Sequence, residues 1–207
     1  MGKTNKNKFV ILENAEISVT HIQQALNLDY EAYENALHLT LETCIAYFKK
    51  NKDIYLMLFD TDNKKIIAYL NVSPITNSAY EKIRSGIAND TFLTANDILN
   101  YESGKDLSVY FSSIVVEKNY RKMGLSKILI NRIIEKLSNL ILTNVKIKRI
   151  IADAISRQGE YLCKKMGMKK LTKTQHDSVI YELLLENNFS KTPLNKKLYD
   201  TVKMIKK

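Results

Sequence analysis

Cysteine and histidine are scarce in this chain. Cys44 and Cys163 are its two cysteines, and His21, His38 and His176 its three histidines. None is spaced as zinc ligands are, and so low a cysteine density in 207 residues excludes a disulfide framework. No structural metal is expected. Proline is nearly absent too: Pro74 and Pro193 each read as punctuation. No apolar run approaches the roughly 18–20 residues that cross a bilayer, so no membrane partner is expected. The first residues, MGKTNKNKF, are polar and basic, without the apolar core of a signal peptide, and Lys6 stands where a myristoylation pattern needs Ser or Thr. The expected location is the cytoplasm. There is no internal repeat and no low-complexity block. Helix-turn-helix spacing is missing, and the aromatics are not interleaved with basic residues as on a stacking platform, so nucleic acid is not an expected partner.

What the chain has is positive charge, unevenly spread. The formal net charge is +10. Residues 1–104 hold 10 Lys/Arg against 13 Asp/Glu, and residues 105–207 hold 22 against 9. The second half, at +13, suits an anion: nucleic acid, a membrane surface, a phosphorylated cofactor or an acidic protein. The plain alternative is a lysine-rich surface that only solvates the fold.

Hydrophobic spacing outlines the elements. Ile22, Ala25, Leu26, Tyr33, Leu37, Leu41, Ile45 and Phe48 recur at threes and fours, which predicts one broken helix or two. Two β-rich runs around Asp60-Thr61-Asp62-Asn63 predict a hairpin over 53–72. A helix is expected from about 75 to 87, and a second, short one from Thr94, with Asp97 completing an imperfect capping box. DLSVYFSSIVVE reads as a strand buried on both faces. After Gly124, Leu125, Leu129, Ile133 and Leu137 stand at i+4 spacing on a helix. VKIKRIIADA reads as a strand, and SRQGEYLCKKMG as a helix closed by Gly167 in left-handed conformation. A hairpin turning near His176-Asp177 and a basic, helical tail over 187–207 complete the chain.

One stretch carries chemistry. In VVEKNYRKMGLSKILI a strand passes through a basic loop into a helix. The first N–H groups of a helix have no intrahelical partner, and with the positive end of the dipole they attract anions. Gly124 lets a ligand approach the backbone, Ser126 is small, and Arg121 and Lys122 add charge. The Gly-x-x-x-x-Gly-Lys-Ser/Thr loop and the three-glycine dinucleotide fingerprint are both missing. The loop alone is therefore either a phosphate site of another kind or an ordinary helix start.

YRKMGLSKILI resembles the pyrophosphate loop of the GNAT superfamily of N-acyltransferases, Arg/Gln-x-x-Gly-x-Gly/Ala after a strand. Arg121, Gly124 and Ser126 hold its positions, and Ile114-Val115-Val116 supply the strand end. Downstream, Ser156-x-x-Gly159-x-x-Leu162-Cys163-x-x-x-Gly167-Met168 is similar to the family's Asn-x-x-Ala-x-x-Leu-Tyr-x-x-x-Gly-Phe. The resemblance spans about residues 54–186 and is sharp over 108–168. It implies an α/β (α+β) fold: a central mixed, mostly antiparallel sheet flanked by helices, forming one domain over 1–186, with a helical insertion over about 74–106 before the long central strand.

The resemblance implies acyl transfer from acetyl-CoA, or another acyl-CoA, to a small-molecule or protein amine. The donor pyrophosphate would sit on the backbone of Lys122, Met123, Gly124, Leu125 and Ser126 beside Arg121, with its pantetheine arm between the strand ending at Val116 and the strand near Ile151, on the backbone of Ile114 and Val116; Ser156 is a further cofactor-binding candidate. Oxyanion donors are expected near Val115, and the 74–106 segment is expected as a lid or wall over the acceptor. Cys163 stands where many relatives have an acidic tyrosine; it is either a proton donor to the leaving thiolate or a packing residue. Ser113 either holds a water or is structural, as are Asp106 and Tyr110. No base is evident. An acyl carrier protein is the alternative donor, given the basic second half, and a CoA-binding relative without turnover is another reading. Monomer and homodimer both remain open.

Overall fold

The computed structural model describes residues 8–33, 38–174, 177–185 and 189–205. Strand β1 (Phe9–Glu13) precedes helices α1 (Val19–Ala32) and α2 (Leu41–Lys50), and then the hairpin β2 (Tyr55–Asp60) and β3 (Lys65–Ile75). Helix α3 (Asn77–Arg84) follows. Then come the long strand β4 (Asp106–Val116), helix α4 (Leu125–Leu142), strand β5 (Lys146–Ala154) and helix α5 (Arg157–Lys165). Strands β6 (Lys169–Lys173) and β7 (Val179–Leu184) and helix α6 (Lys196–Ile205) end the order. No helix among the described residues is long and apolar enough to cross a membrane.

The strands form one sheet in the order β1-β2-β3-β4-β5-β7-β6. Every pairing is antiparallel except that of β4 with β5. This is the expected mixed, mostly antiparallel sheet. Apolar side chains fill both faces. On one face, Leu129, Ile133 and Leu137 of α4 meet Ile67, Val109 and Ile150, and α6 closes the layer with Leu198 and Val202. On the other, Ile22 and Leu26 of α1 and Tyr47 of α2 pack on Met57, Tyr69 and Val115. Burying an aliphatic side chain of this size contributes roughly 1.5–3 kcal/mol, so two filled faces hold the sheet between helical layers.

Several local expectations shift for physical reasons. Ser18 and Thr40 accept N–H bonds from His21 and Thr43, which starts α1 and α2 as separate helices; Leu37, expected in their shared stripe, lies outside the described residues. Strand β3 runs through Pro74, and Thr76 caps α3 at the Ala79 N–H. The helix expected from Thr94 is a single tight turn, Ala95–Asp97, held by Asp97 bonding back to the Thr94 N–H and hydroxyl. Strand β4 is buried at Leu107–Phe111 but half-exposed at Ser112, Ser113 and Ile114. Strand β1 carries no signal strong enough to predict it, because five residues with a half-exposed pattern depend on pairing with β2. The final hairpin forms, although His176 lies outside the described residues.

The 74–106 segment is stitched to itself and to the sheet. Ile75 bridges Ile98, Thr76 N–H donates to Asp97 C=O and Leu99 N–H to Pro74 C=O. Tyr80 and Ile83 are fully buried. The Tyr80 hydroxyl donates to Glu182 on β7, and the Arg149 guanidinium lies 3.7 Å from the Tyr80 ring centroid. These contacts clamp α3 to the sheet.

Candidate active site

The sheet opens where the candidate residues gather. Parallel pairing of β4 with β5 ends at Phe111↔Ala152, yet β4 continues to Val116 and β5 to Ala154. Along β4, Asn71 pairs with Ser113 and Val72 with Phe111, which leaves Ser112 as the extra residue of a bulge. A bulge bends and twists its strand, and here it begins the separation from β5.

The direction of each backbone group follows from alternation. Glu117 N–H donates to Ile67 C=O at 2.9 Å, and bonding groups on an antiparallel strand alternate sides. Val115 and Ser113 therefore present N–H and C=O to β3, whereas Val116 and Ile114 present theirs to the gap; the alternation stops at the bulge residue Ser112. Two side chains agree: the Tyr33 hydroxyl reaches Ile114 C=O at 3.4 Å, and Arg121 Nε donates to Val116 C=O at 3.2 Å. The oxyanion donor expected near Val115 narrows to a neighbour: the Val115 amide is committed to β3, and the adjacent gap-facing amide is that of Ile114.

Beyond β4 the chain makes a turn of 3₁₀ helix over Lys118–Tyr120 and enters α4 at Gly124. Lys122 and Gly124 both have positive φ, 68° and 77°. No side chain caps this helix. Among the described residues the amides of Lys122 to Ser126 find no backbone acceptor, so they are left for an anion. A Cβ added at Gly124 would meet nothing within 4 Å, so the space over the loop is open. Arg121, Lys122, Met123 and Ser126 are exposed, whereas the Leu125 side chain is buried in the core and leaves only its N–H to a ligand. Upstream, Tyr120 donates to the fully buried Asp60, which also accepts from Asn63 and the Asp62 N–H. Burial alone would raise the Asp60 carboxyl, but these bonds hold it below the usual carboxylate range. The β2–β3 turn thereby fixes where the loop begins.

A cavity of about 570 Å³ occupies the gap. Ser112, Ser113 and Ile114 line it from β4, and Ala152 and Asp153 from β5. Ser156, Gly159 and Cys163 close it from α5. The Ser156 hydroxyl accepts the Gly159 N–H at 3.1 Å and so caps α5. Burial pushes the Cys163 thiol up to about 12, which weakens it as a proton donor and favours its role as packing. Asp106 and Tyr110 separate: Asp106 is exposed at the far end of β4, while Tyr110 is buried against the cavity.

The opposite wall holds a polar network that sequence reasoning missed. Asp29 of α1 accepts from the Tyr69 hydroxyl and from Ser113 Oγ, the latter at 3.0 Å. His38 Nδ1 lies 3.0 Å from the other Asp29 oxygen, and His38 Nε2 2.9 Å from Tyr33 C=O. Ser113 is thus a member of this network. The available signal was Asp29 itself, a carboxylate inside the stripe Ile22, Leu26, Tyr33. Burial, then the Asp29 charge, pushes the Tyr33 phenol up to about 12.

Asp90 completes the wall. It stands in the tight turn Asp90–Phe92 of the 74–106 segment and lines the same cavity, half-buried. Burial and the charges of Asp29 and Asp153 push its carboxyl up to about 7. Nothing around a lone Asp in IANDTF marks it in sequence. Among the described residues, no group of three or more His, Cys, Asp or Glu is placed to hold a metal ion.

No protein-family model and no curated protein matches the chain. Solved structures do match. Ard1 from Thermoplasma volcanium aligns with a TM-score of 0.56 at 8% identity, over 86% of this chain and 97% of that one. NAA60 from Arabidopsis thaliana, in complex with acetyl-CoA, gives 0.56 at 13% identity over 86% and 99%. The NatC complex bound to Gag peptide and CoA gives 0.56 at 11% identity over 84% and 96%. At these identities the likeness is one of fold, and the fold is that of the GNAT superfamily.

Proposed function

We propose that the protein is an acyl-CoA-dependent N-acyltransferase that moves an acyl group, acetyl in the simplest case, to an amine by direct attack in a ternary complex. One observation carries this reading: the gap between β4 and β5, lined by unpaired backbone, lies beside the glycine-started N-terminus of α4. The acetyl-CoA and CoA of the NAA60 and NatC structures, on the same fold, support it.

In this reading the amides from Lys122 to Ser126 hold the pyrophosphate, with Arg121 and Lys122 adding charge. The pantetheine arm takes the place of a strand in the gap, using Ile114 and Val116. Tyr33 and Arg121 then yield the carbonyls they now bond. The thioester carbonyl lies against the backbone at Ile114, whose gap-facing N–H meets the negative charge that develops on oxygen. Ser156 and Cys163 form the wall at the sulfur end.

The acceptor enters past Asp29, Tyr33 and Asp90, a wall whose carboxylates favour an amine arriving as a cation. Mass spectrometry of co-purifying ligands, then calorimetry with CoA and acetyl-CoA, tests the donor side. A thiol-release assay tests turnover, pairing acetyl-CoA, long-chain acyl-CoA and acyl-carrier donors with alkyl amines, spermidine and peptides with free N-termini. Binding of acetyl-CoA with amine-dependent thiol release is expected. No CoA binding at millimolar concentration sinks the reading, and binding without turnover on any amine leaves a CoA-binding protein in its place.

A further inference from the structure

We propose that Asp90, carried into the cavity by the 74–106 segment, is the general base that takes the proton from the acceptor ammonium; this rests on the acyl-transfer reading. Three observations lead to it. First, position: Asp90 lines the cavity that contains the end of the β4–β5 gap, on the wall opposite α5. Second, availability. Asp29, the other carboxylate on that wall, is engaged by Tyr69, Ser113 and His38. Among the described residues, the Asp90 carboxylate accepts from the backbone N–H groups of Asp90 and Thr91 and from no side chain. A carboxylate has about four lone-pair sites, so two such bonds leave sites for an incoming proton.

Third, rigidity. Asn89 Oδ1 accepts from the Thr91 N–H at 3.1 Å and the Thr91 hydroxyl at 2.7 Å, which fixes the turn. The Tyr47 hydroxyl donates to Leu93 C=O at 2.5 Å and reaches Asp90 C=O at 3.4 Å, which ties the turn to α2. The turn that carries the carboxylate is therefore held in place, as the support of a catalytic group must be.

Among the described residues, the groups whose charges bear on Asp90 are Asp29 on α1, Cys44 and Tyr47 on α2, Tyr110 on β4 and Asp153 on β5. None of these five is basic; His38 stands 3.0 Å from Asp29. Burial and the two neighbouring carboxylates keep its affinity for a proton near neutrality, where a base is most effective.

The step balances. Asp90 carboxylate takes one proton from R–NH₃⁺. The freed lone pair forms the C–N bond to the thioester carbonyl, and the C=O π pair moves to oxygen. That pair returns as the C–S bond breaks, its electrons leaving on the CoA sulfur as thiolate. The thiolate takes the remaining extra proton from nitrogen, and Asp90 releases its proton to solvent.

The test is Asp90→Asn, an isosteric change, with two acceptors: the fastest alkyl amine of the panel, and methoxyamine, whose nitrogen is already unprotonated at neutral pH. With the alkyl amine, kcat/KM of the wild type should rise with pH through about 7 and level off. The variant should lose that limb and fall by about 10²–10⁴-fold. With methoxyamine the loss should stay below about tenfold, because no proton need leave before attack. Acetyl-CoA affinity by calorimetry should be unchanged. A variant that keeps the limb, or loses both acceptors equally while binding acetyl-CoA normally, overturns the assignment. A wild type that binds acetyl-CoA but acylates no amine overturns the acyl-transfer reading and this one with it.

Discussion

Replacing Gly124 by glutamate places a negative charge where the pyrophosphate is proposed to sit. Gly124 has φ near +77°, a conformation that costs an L residue about 1–2 kcal/mol. A Cβ there meets nothing within 4 Å, so no steric cost adds to it. A carboxylate at the start of α4 recovers about 0.3–1 kcal/mol from the helix dipole. The net loss of about 1 kcal/mol should lower Tm by roughly 2–4 °C, and the fold should survive. Binding should suffer far more. A carboxylate about 5 Å from two phosphate charges is repelled by about 2–7 kcal/mol for effective dielectrics between about 80 and 20. That is a loss of about 30-fold to 10⁵-fold in CoA affinity, smaller at high salt. Gly124→Ala is the reference, since it carries the same backbone strain without the charge. Calorimetric titration of CoA into both variants isolates the electrostatic part. Equal affinities in the Glu and Ala variants would refute an anion site at this helix start, whatever the activity of either.

Two further outcomes concern stability. The Asp90 carboxyl is raised in the folded chain to about 7, from an ordinary value near 4, so folding favours its protonated form. Its contribution is fully present below the unfolded value and is lost as pH rises towards the folded one. Asp90→Asn should therefore match the wild type in urea denaturation at pH 4 and exceed it at pH 8, by roughly 1–4 kcal/mol; a variant no more stable at pH 8 contradicts the burial argument. Tyr80→Phe keeps the ring under Arg149 but takes the hydroxyl from the buried Glu182. It should cost about 1–3 kcal/mol in the same assay, and a neutral effect would mean that Arg84, 3.5 Å away, satisfies the carboxylate alone.

How legible the molecule was in its sequence depended on whether the information was local. The strand–loop–helix from Val115 to Ile130 was readable because Gly124, its basic neighbours and the i+4 row Leu125, Leu129, Ile133, Leu137 state their geometry within a few residues. The hairpin at Asp60–Asn63 was readable for the same reason. The base was not. Asp90 acquires its environment from Asp29 and Asp153, 61 and 63 residues away in the chain, and only the packing of α1 and β5 brings those charges near. Ser113 was noticed, but its partners Asp29 and Tyr69 come from two other elements. At Cys163 the sequence leaves proton donor and packing residue both open, because the burial that raises its thiol comes from the packing of α5 on the sheet.

The gap in the sheet has a consequence for how such a chain can drift over time. In the proposed reading its donor contacts are peptide groups of Ile114 and Val116, and peptide groups are the same in every residue but proline. A lineage can exchange the side chains along this strand while the cleft goes on offering the same donors and acceptors. Heritable constraint then concentrates at the few points where a side chain, or its absence, is itself the reagent: the missing one at Gly124, and the carboxylate of Asp90. A site written in backbone places few demands on side chains, so a fold shared at 8–13% identity is no obstacle to it.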